Sequence, residues 1–259
     1  MEWSPRSSDV RRFGKAGVSE IRYAVPWDVL FSIGPNIWTG VPTSVDRFSA
    51  GFTARIQPEP VLLGLEYLPD NPRFVLVANH YQRPGLWIAH VASVLTQVVR
   101  RRYGPGDPPV RWIVTANWPP VRIGRWRLPS PGDWLLPRVA RALCCYPVAF
   151  AGADPGFTAK TLHQMLRDLK TLGRPIGLFP EGAAATAGKL SPPLPGVDRL
   201  LRQLAKRGWP VLPAAISEDG RFVIRLGRLI GTDELMEGPD PAALAMQRIK
   251  ELLASTLQS

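Results

Sequence analysis

The sequence predicts an α/β protein: a mostly parallel central sheet flanked by helices, preceded by an N-terminal helical or interfacial element. Three observations predict it. Two short apolar runs, residues 74–78 and 176–179, pass straight into polar turns marked by glycine or proline, as parallel strands buried on both faces do. From residue 61 onward candidate strands alternate with candidate helices, the pattern of a parallel sheet with crossover helices. The chain of 259 residues is also long enough to bury roughly three-quarters of its unfolded surface in one core.

In order, residues 1–20 are charged and Gly/Ser-containing, the composition of a loose arm. Residues 21–56 crowd Trp27, Phe31, Ile33, Trp38, Phe48 and Phe52 between Pro26, Pro35 and Pro42. Those prolines are expected to cut any helix short. The segment suits either a helical cap packed on the core or an amphipathic element lying in a head-group layer. Gln57-Pro-Glu-Pro60 reads as the join. This divides the chain into residues 1–56, an arm with a possible membrane-interface element, and residues 57–259, the α/β domain.

Strands are expected at 61–66, 74–78, 110–115, 146–150, 176–179, 211–216 and 222–226. Helices are expected at 86–99, 134–143, 158–172, 196–207 and 241–257. Residues 86–99 are apolar nearly all round, which implies deep packing, and Arg100–Arg102 complement the dipole at that helix's end. Residues 158–172 carry Leu162, Met165, Leu166, Leu169 and Leu172 at near-helical spacing. Residues 117–133 look loop-like but are loaded with tryptophan and arginine.

The net charge is +11, carried by 26 Arg against 6 Lys. The guanidinium fork suits phosphate and phospholipid head groups, although a compositional bias that also raises Pro, Ala and Gly would produce the same excess. Nine tryptophans fit a surface that is apolar on one side and wet on the other. No run of about 20 apolar residues suggests a spanning helix, and the N-terminus lacks the order of a signal peptide. Cys144 and Cys145 are adjacent and the only cysteines, which argues against a disulfide framework. The expected location is cytoplasmic, peripheral at the inner face of the membrane. No His/Cys/Asp spacing suggests a metal, and no nucleic-acid-binding motif accompanies the charge. His90 and His163 fall within helices and read as structural; the cysteines read as small core residues.

In open α/β sheets the chemistry lies beyond the carboxyl ends of the strands. Asn79-His80 and Phe179-Pro180-Glu181-Gly182 occupy two such ends. With Gly64-Leu-Glu-Tyr-Leu-Pro69 leading in, Gly188-Lys189-Leu190 following the second block, and Val211-Leu-Pro213-Ala-Ala-Ile216 after it, the order of blocks resembles the glycerolipid acyltransferase superfamily, the lysophosphatidic acid acyltransferase-like proteins. The resemblance implies acyl transfer from acyl-CoA or acyl carrier protein, with no cofactor beyond that donor, to a hydroxyl of a lipid or glycolipid at an anionic membrane surface. His80 would be the general base, a role typically worth roughly 10²–10⁴ in rate, and Glu181 would position acceptor or imidazole. Asn79, Arg83, Phe179, Pro180 and Gly182 would surround substrate.

Two positions depart from the family pattern. The aspartate expected five residues after His80 is Gly85, and loss of an orienting carboxylate costs about 10⁴ in the serine-protease template; Asp133 or Glu181 would have to replace it. The arginine expected at the end of Tyr146-Pro-Val-Ala-Phe150 is Phe150, which removes a bidentate phosphate donor unless Arg122, Arg125 or Arg127 supplies the charge. The alternative is a non-catalytic protein of the same fold, a lipid-binding or assembly subunit.

Overall fold

The N-terminal segment opens with β1 (Arg22–Tyr23), and the hairpin-like return at β2 (Ile56–Gln57) pairs with it antiparallel. Between them stand α1 (Trp27–Thr39) and α2 (Val45–Thr53). The computed structural model describes residues 21–106, 108–116, 121–123, 126–128, 131–149, 154–171, 173–182 and 190–256, with the backbone alone at 121–123, 126–128, 131 and 256; the expected loose arm therefore lies outside the described residues. The prolines do not shorten α1. Pro35 sits within it, and the carbonyl whose partner it removes belongs to Phe31, which is 76% exposed, so the lost bond falls on the wet side of the helix. Gly40 then ends α1 at φ 73, the left-handed termination glycine favours. Ser44 caps α2 by accepting from the N–H of Arg47 at 3.2 Å.

The central sheet contains β3 (Val61–Leu63), β4 (Val75–Ala78), β5 (Arg111–Thr115), and, beyond a small antiparallel hairpin of β6 (Val121–Ile123) and β7 (Trp126–Leu128), β8 (Tyr146–Val148), β9 (Ile176–Leu178), β10 (Val211–Glu218) and β11 (Phe222–Leu226). Its order is β3-β11-β10-β4-β9-β5-β8. Strands β10, β4, β9, β5 and β8 run parallel, whereas β11 returns antiparallel to β10 and carries β3 with it. The hairpin replaces part of the stretch expected to be loop.

Helices α3 (Ile88–Tyr103), α4 (Pro131–Ala142), α5 (Pro155–Asp168), α6 (Val197–Ala205), α7 (Thr232–Glu237) and α8 (Pro241–Thr256) complete the chain. The short α7 was not legible in the hydrophobic spacing. Strand β4 shows why the sheet is covered on both sides. Val75 and Val77 pack into a core with Met165, Leu201, Leu204 and Ile249, while Leu76 and Ala78 pack into the opposite core with Val91, Val94 and Leu95. Period-two alternation thus sends buried side chains to α5, α6 and α8 on one face and to α3 on the other. Full burial of each Val or Leu contributes roughly 1.5–3 kcal/mol, which fixes β4 at the centre and its carboxyl end in place. Helix α2 joins the α3 face through the fully buried Phe52.

Candidate active site

Three neighbouring strands deliver the site: β4 in the middle, β9 on one side and β10 on the other. Asn79, the first residue after β4, is buried and bonds both main-chain groups of Ile216 on β10. Its Nδ2 donates to the Ile216 carbonyl at 3.1 Å and its Oδ1 accepts from the Ile216 N–H at 2.7 Å. A carboxamide is suited to this because one side chain carries both a donor and an acceptor. The pairing extends the β4–β10 ladder past Ala78↔Ala214 and fixes where His80 begins.

The His80 imidazole is half-buried and meets the ring of Phe179 edge-on at 5.6 Å. Phe179 stacks on Trp112 at 4.9 Å with the planes 10° apart, and Trp112 is held from behind by its Nε1 donating to Thr96 Oγ1 at 3.0 Å. Gly177 makes room for that indole, since a Cβ there would lie 2.2 Å from the Trp112 ring. Burial pushes the His80 pKa below its ordinary value, because desolvation disfavours the imidazolium. Burial therefore favours the neutral imidazole over the imidazolium. Among the described residues its Nδ1 is enclosed and has no hydrogen-bond partner.

Glu181 lies 4% exposed beside it. Its Oε1 accepts the main-chain N–H of His80 at 2.7 Å and its Oε2 accepts the N–H of Ser191 at 2.6 Å. The carboxylate thus ties the end of β4 to the segment entering α6 through charge-assisted bonds. The other members of the block serve the same turn. The buried Pro180 carbonyl accepts from Leu194 N–H at 2.9 Å, and Gly182 N–H donates to the Phe179 carbonyl at 3.1 Å. Gly182 stands at φ 64, and a Cβ there would come within 2.1 Å of Leu194, so conformation and space both require glycine.

Gly85 stands at φ 86 with nothing within 4 Å of where a Cβ would be. Asp133, the other carboxylate considered from sequence, sits in the first turn of α4. Arg83 lies in the loop after His80. Its Nε donates to Glu218 Oε1 at 2.7 Å, its Nη2 donates to the Ile21 carbonyl at 3.3 Å, and its guanidinium covers the Tyr23 ring at 5.0 Å. The Tyr23 hydroxyl donates to the same Glu218 oxygen. The side chain of Arg122, all of Arg125 and Phe150, and Gly188-Lys189 lie outside the described residues.

Sequence reasoning missed Glu218, Tyr23, Ser191 and Trp112. A signal existed for Glu218: it follows the apolar run 211–216 as the first charge at the end of a strand parallel to β4. No such signal marked Tyr23 or Ser191, which arrive by tertiary contact. His90 is structural, as expected: it is fully buried, its Nδ1 accepts from Trp87 N–H at 3.1 Å, and its Nε2 faces the Ala24 carbonyl at 3.4 Å.

Away from the strand ends, Trp27, Phe31, Trp38 and Val41 of the α1 region are exposed, and Trp38 meets the exposed Trp134 of α4 at 5.3 Å with Arg138 over the Trp134 ring at 4.3 Å. No described helix is long and apolar enough to cross a membrane.

The mostly parallel seven-stranded sheet flanked by helices is an acyltransferase fold. It matches the crystal structure of the 1-acyl-sn-glycerophosphate (LPA) acyltransferase PlsC from Thermotoga maritima, with a TM-score of 0.55 and 14% sequence identity, over 89% of this chain and 90% of that one. No protein-family model and no curated protein sequence matches the chain.

Proposed function

We propose that the protein is an acyltransferase that moves a fatty acyl group from acyl-CoA or acyl carrier protein to a hydroxyl of a lipid or glycolipid, with His80 as general base. The observation that carries this is the placement of a neutral, half-buried imidazole at the central strand end of an acyltransferase fold. In this reading His80 takes the acceptor hydroxyl proton as the oxygen attacks the thioester carbonyl. The tetrahedral intermediate then collapses, the C–S bond breaks, and the proton passes to the leaving thiolate. Phe179 and Trp112 provide an apolar wall beside the base, suited to an acyl chain.

The exposed aromatic ridge of α1 with Trp134 and Arg138 supports attachment to an anionic bilayer surface, the rings entering the head-group layer and the guanidinium meeting phosphate. The acceptor would be presented from that surface. Product analysis tests the assignment: lipid extracts from incubations with a radiolabelled acyl thioester and mixed lipid acceptors should contain a new ester with wild type and none with His80→Ala.

A second reading, a lipid-binding subunit without turnover, is favoured by one observation: the Glu181 carboxylate beside His80 engages its backbone N–H, and Gly85 offers none. It predicts co-purified lipid and no thiol release with any acceptor.

A further inference from the structure

The loop after His80, residues 81–87, carries the base from the end of β4 into α3 and lacks the carboxylate that the family pattern would put at position 85. It is held instead from outside. Arg83 and Leu86 form an isolated bridge that folds the loop on itself. Arg83 then ties it to Glu218 on β10 and to the Ile21 carbonyl. Glu218 belongs to the same strand that Asn79 grips through Ile216, so its position is set by the rigid centre of the sheet.

Tyr23 covers this ion pair on one side. Its side chain is buried, its hydroxyl donates to Glu218, and its ring lies under the Arg83 guanidinium. The Glu218 side chain is left 13% exposed and that of Arg83 35%. A partly buried pair of this kind is screened less than the freely exposed ion pairs of a protein surface. Tyr23 itself is fastened by the β1–β2 pairing and by edge-on contacts with His90 and Phe222.

We propose that Glu218 and Tyr23 are positioning residues for His80: through Arg83 they hold the 81–87 loop, which leaves the base directly, against the sheet. The proposal rests on the acyl-transfer reading for its catalytic consequence, but the clamp is measurable without turnover. Because Tyr23 precedes α1 directly, the N-terminal segment becomes a part of the active-site frame.

Hydrogen–deuterium exchange on the full chain, read beside steady-state kinetics, tests it with Glu218→Gln and Tyr23→Phe. Peptides covering residues 80–87 are expected to exchange at least tenfold faster in Glu218→Gln, with β4 and α5 unchanged. In the same variant kcat falls at least tenfold while KM for the thioester stays within twofold, and Tyr23→Phe, which keeps the ring and loses one donor, gives a smaller change of the same kind. Unchanged loop exchange, loosening spread equally through β4, or a loosened loop with full kcat would each overturn the clamp. A wild type without turnover would remove the acyl-transfer reading, and loop exchange alone would then decide whether the clamp exists.

Discussion

The carboxylate of Glu181 grips the backbone N–H of His80, at 2.7 Å, and its second oxygen grips Ser191. A buried acid beside a histidine invites the reading of a catalytic pair. Here the acid sets the path of the chain at His80, and the imidazole keeps Nδ1 without a partner among the described residues.

Glu181→Ala should therefore damage the frame as well as the chemistry. It strips a charged acceptor from two N–H groups, each such bond being worth about 1.5–3 kcal/mol. Urea denaturation should show a loss of about 3 kcal/mol, and Glu181→Gln, which retains one acceptor oxygen, about half of that. Equal stability of Glu181→Ala and wild type would contradict the geometry.

The pH dependence follows from burial. The folded pKa of His80 is lowered below about 6.5, so the neutral form predominates above that pH and is lost as pH falls through the lower folded value. The rate profile should have an acid limb with an apparent pKa below about 6.5. Stability should fall in the same direction, because the unfolded chain takes up protons first as pH drops below about 6.5. His90, also lowered by burial, adds to that loss, so denaturant midpoints at pH 5 should lie below those at pH 7.

Gly177→Ala should be costly out of proportion to one methyl group. The added Cβ collides with the Trp112 ring, itself stacked on Phe179 and thereby set against His80. Overpacking of this kind costs about 1–3 kcal/mol, and turnover should fall with stability. Thermal unfolding and thiol release on one preparation check both.

Gly85→Asp places a carboxylate at a backbone φ of 86, with nothing within 4 Å of its Cβ. A destabilisation of about 1–2 kcal/mol is expected from the left-handed strain, with turnover within about threefold of wild type. A gain of a hundredfold would mean that a carboxylate at position 85 is what limits acyl transfer.

Vesicle flotation checks the α1 surface. Phe31→Glu and Trp38→Glu remove exposed rings without touching the core and should weaken binding to anionic vesicles about tenfold or more. Unchanged binding would remove α1 from the interface.

The strands at 75–78, 176–178 and 222–226 were legible because both faces are buried and the apolar runs are bounded by turn residues. The positions of His80 and Glu181 at strand ends followed from the same runs; that the two strands are neighbours did not. What Glu181 does was not legible, since a carboxylate's partners across a sheet are main-chain groups that carry no residue signature. Pro35 misled for a related reason: a proline is better tolerated within a helix where the orphaned carbonyl can be wet, and exposure is a tertiary property. Arg83 looked like a substrate ligand by its place near the block; its partner Glu218 comes from a strand 135 residues away in sequence.

The central claim is that His80 is the base. Thiol release from an acyl thioester in the presence of lipid acceptor, measured for wild type and His80→Ala at equal folded concentration, tests it most directly. A fall of at least a hundredfold in kcat with little change in KM for the thioester is expected for His80→Ala; equal turnover by the two proteins would remove His80 from the reaction.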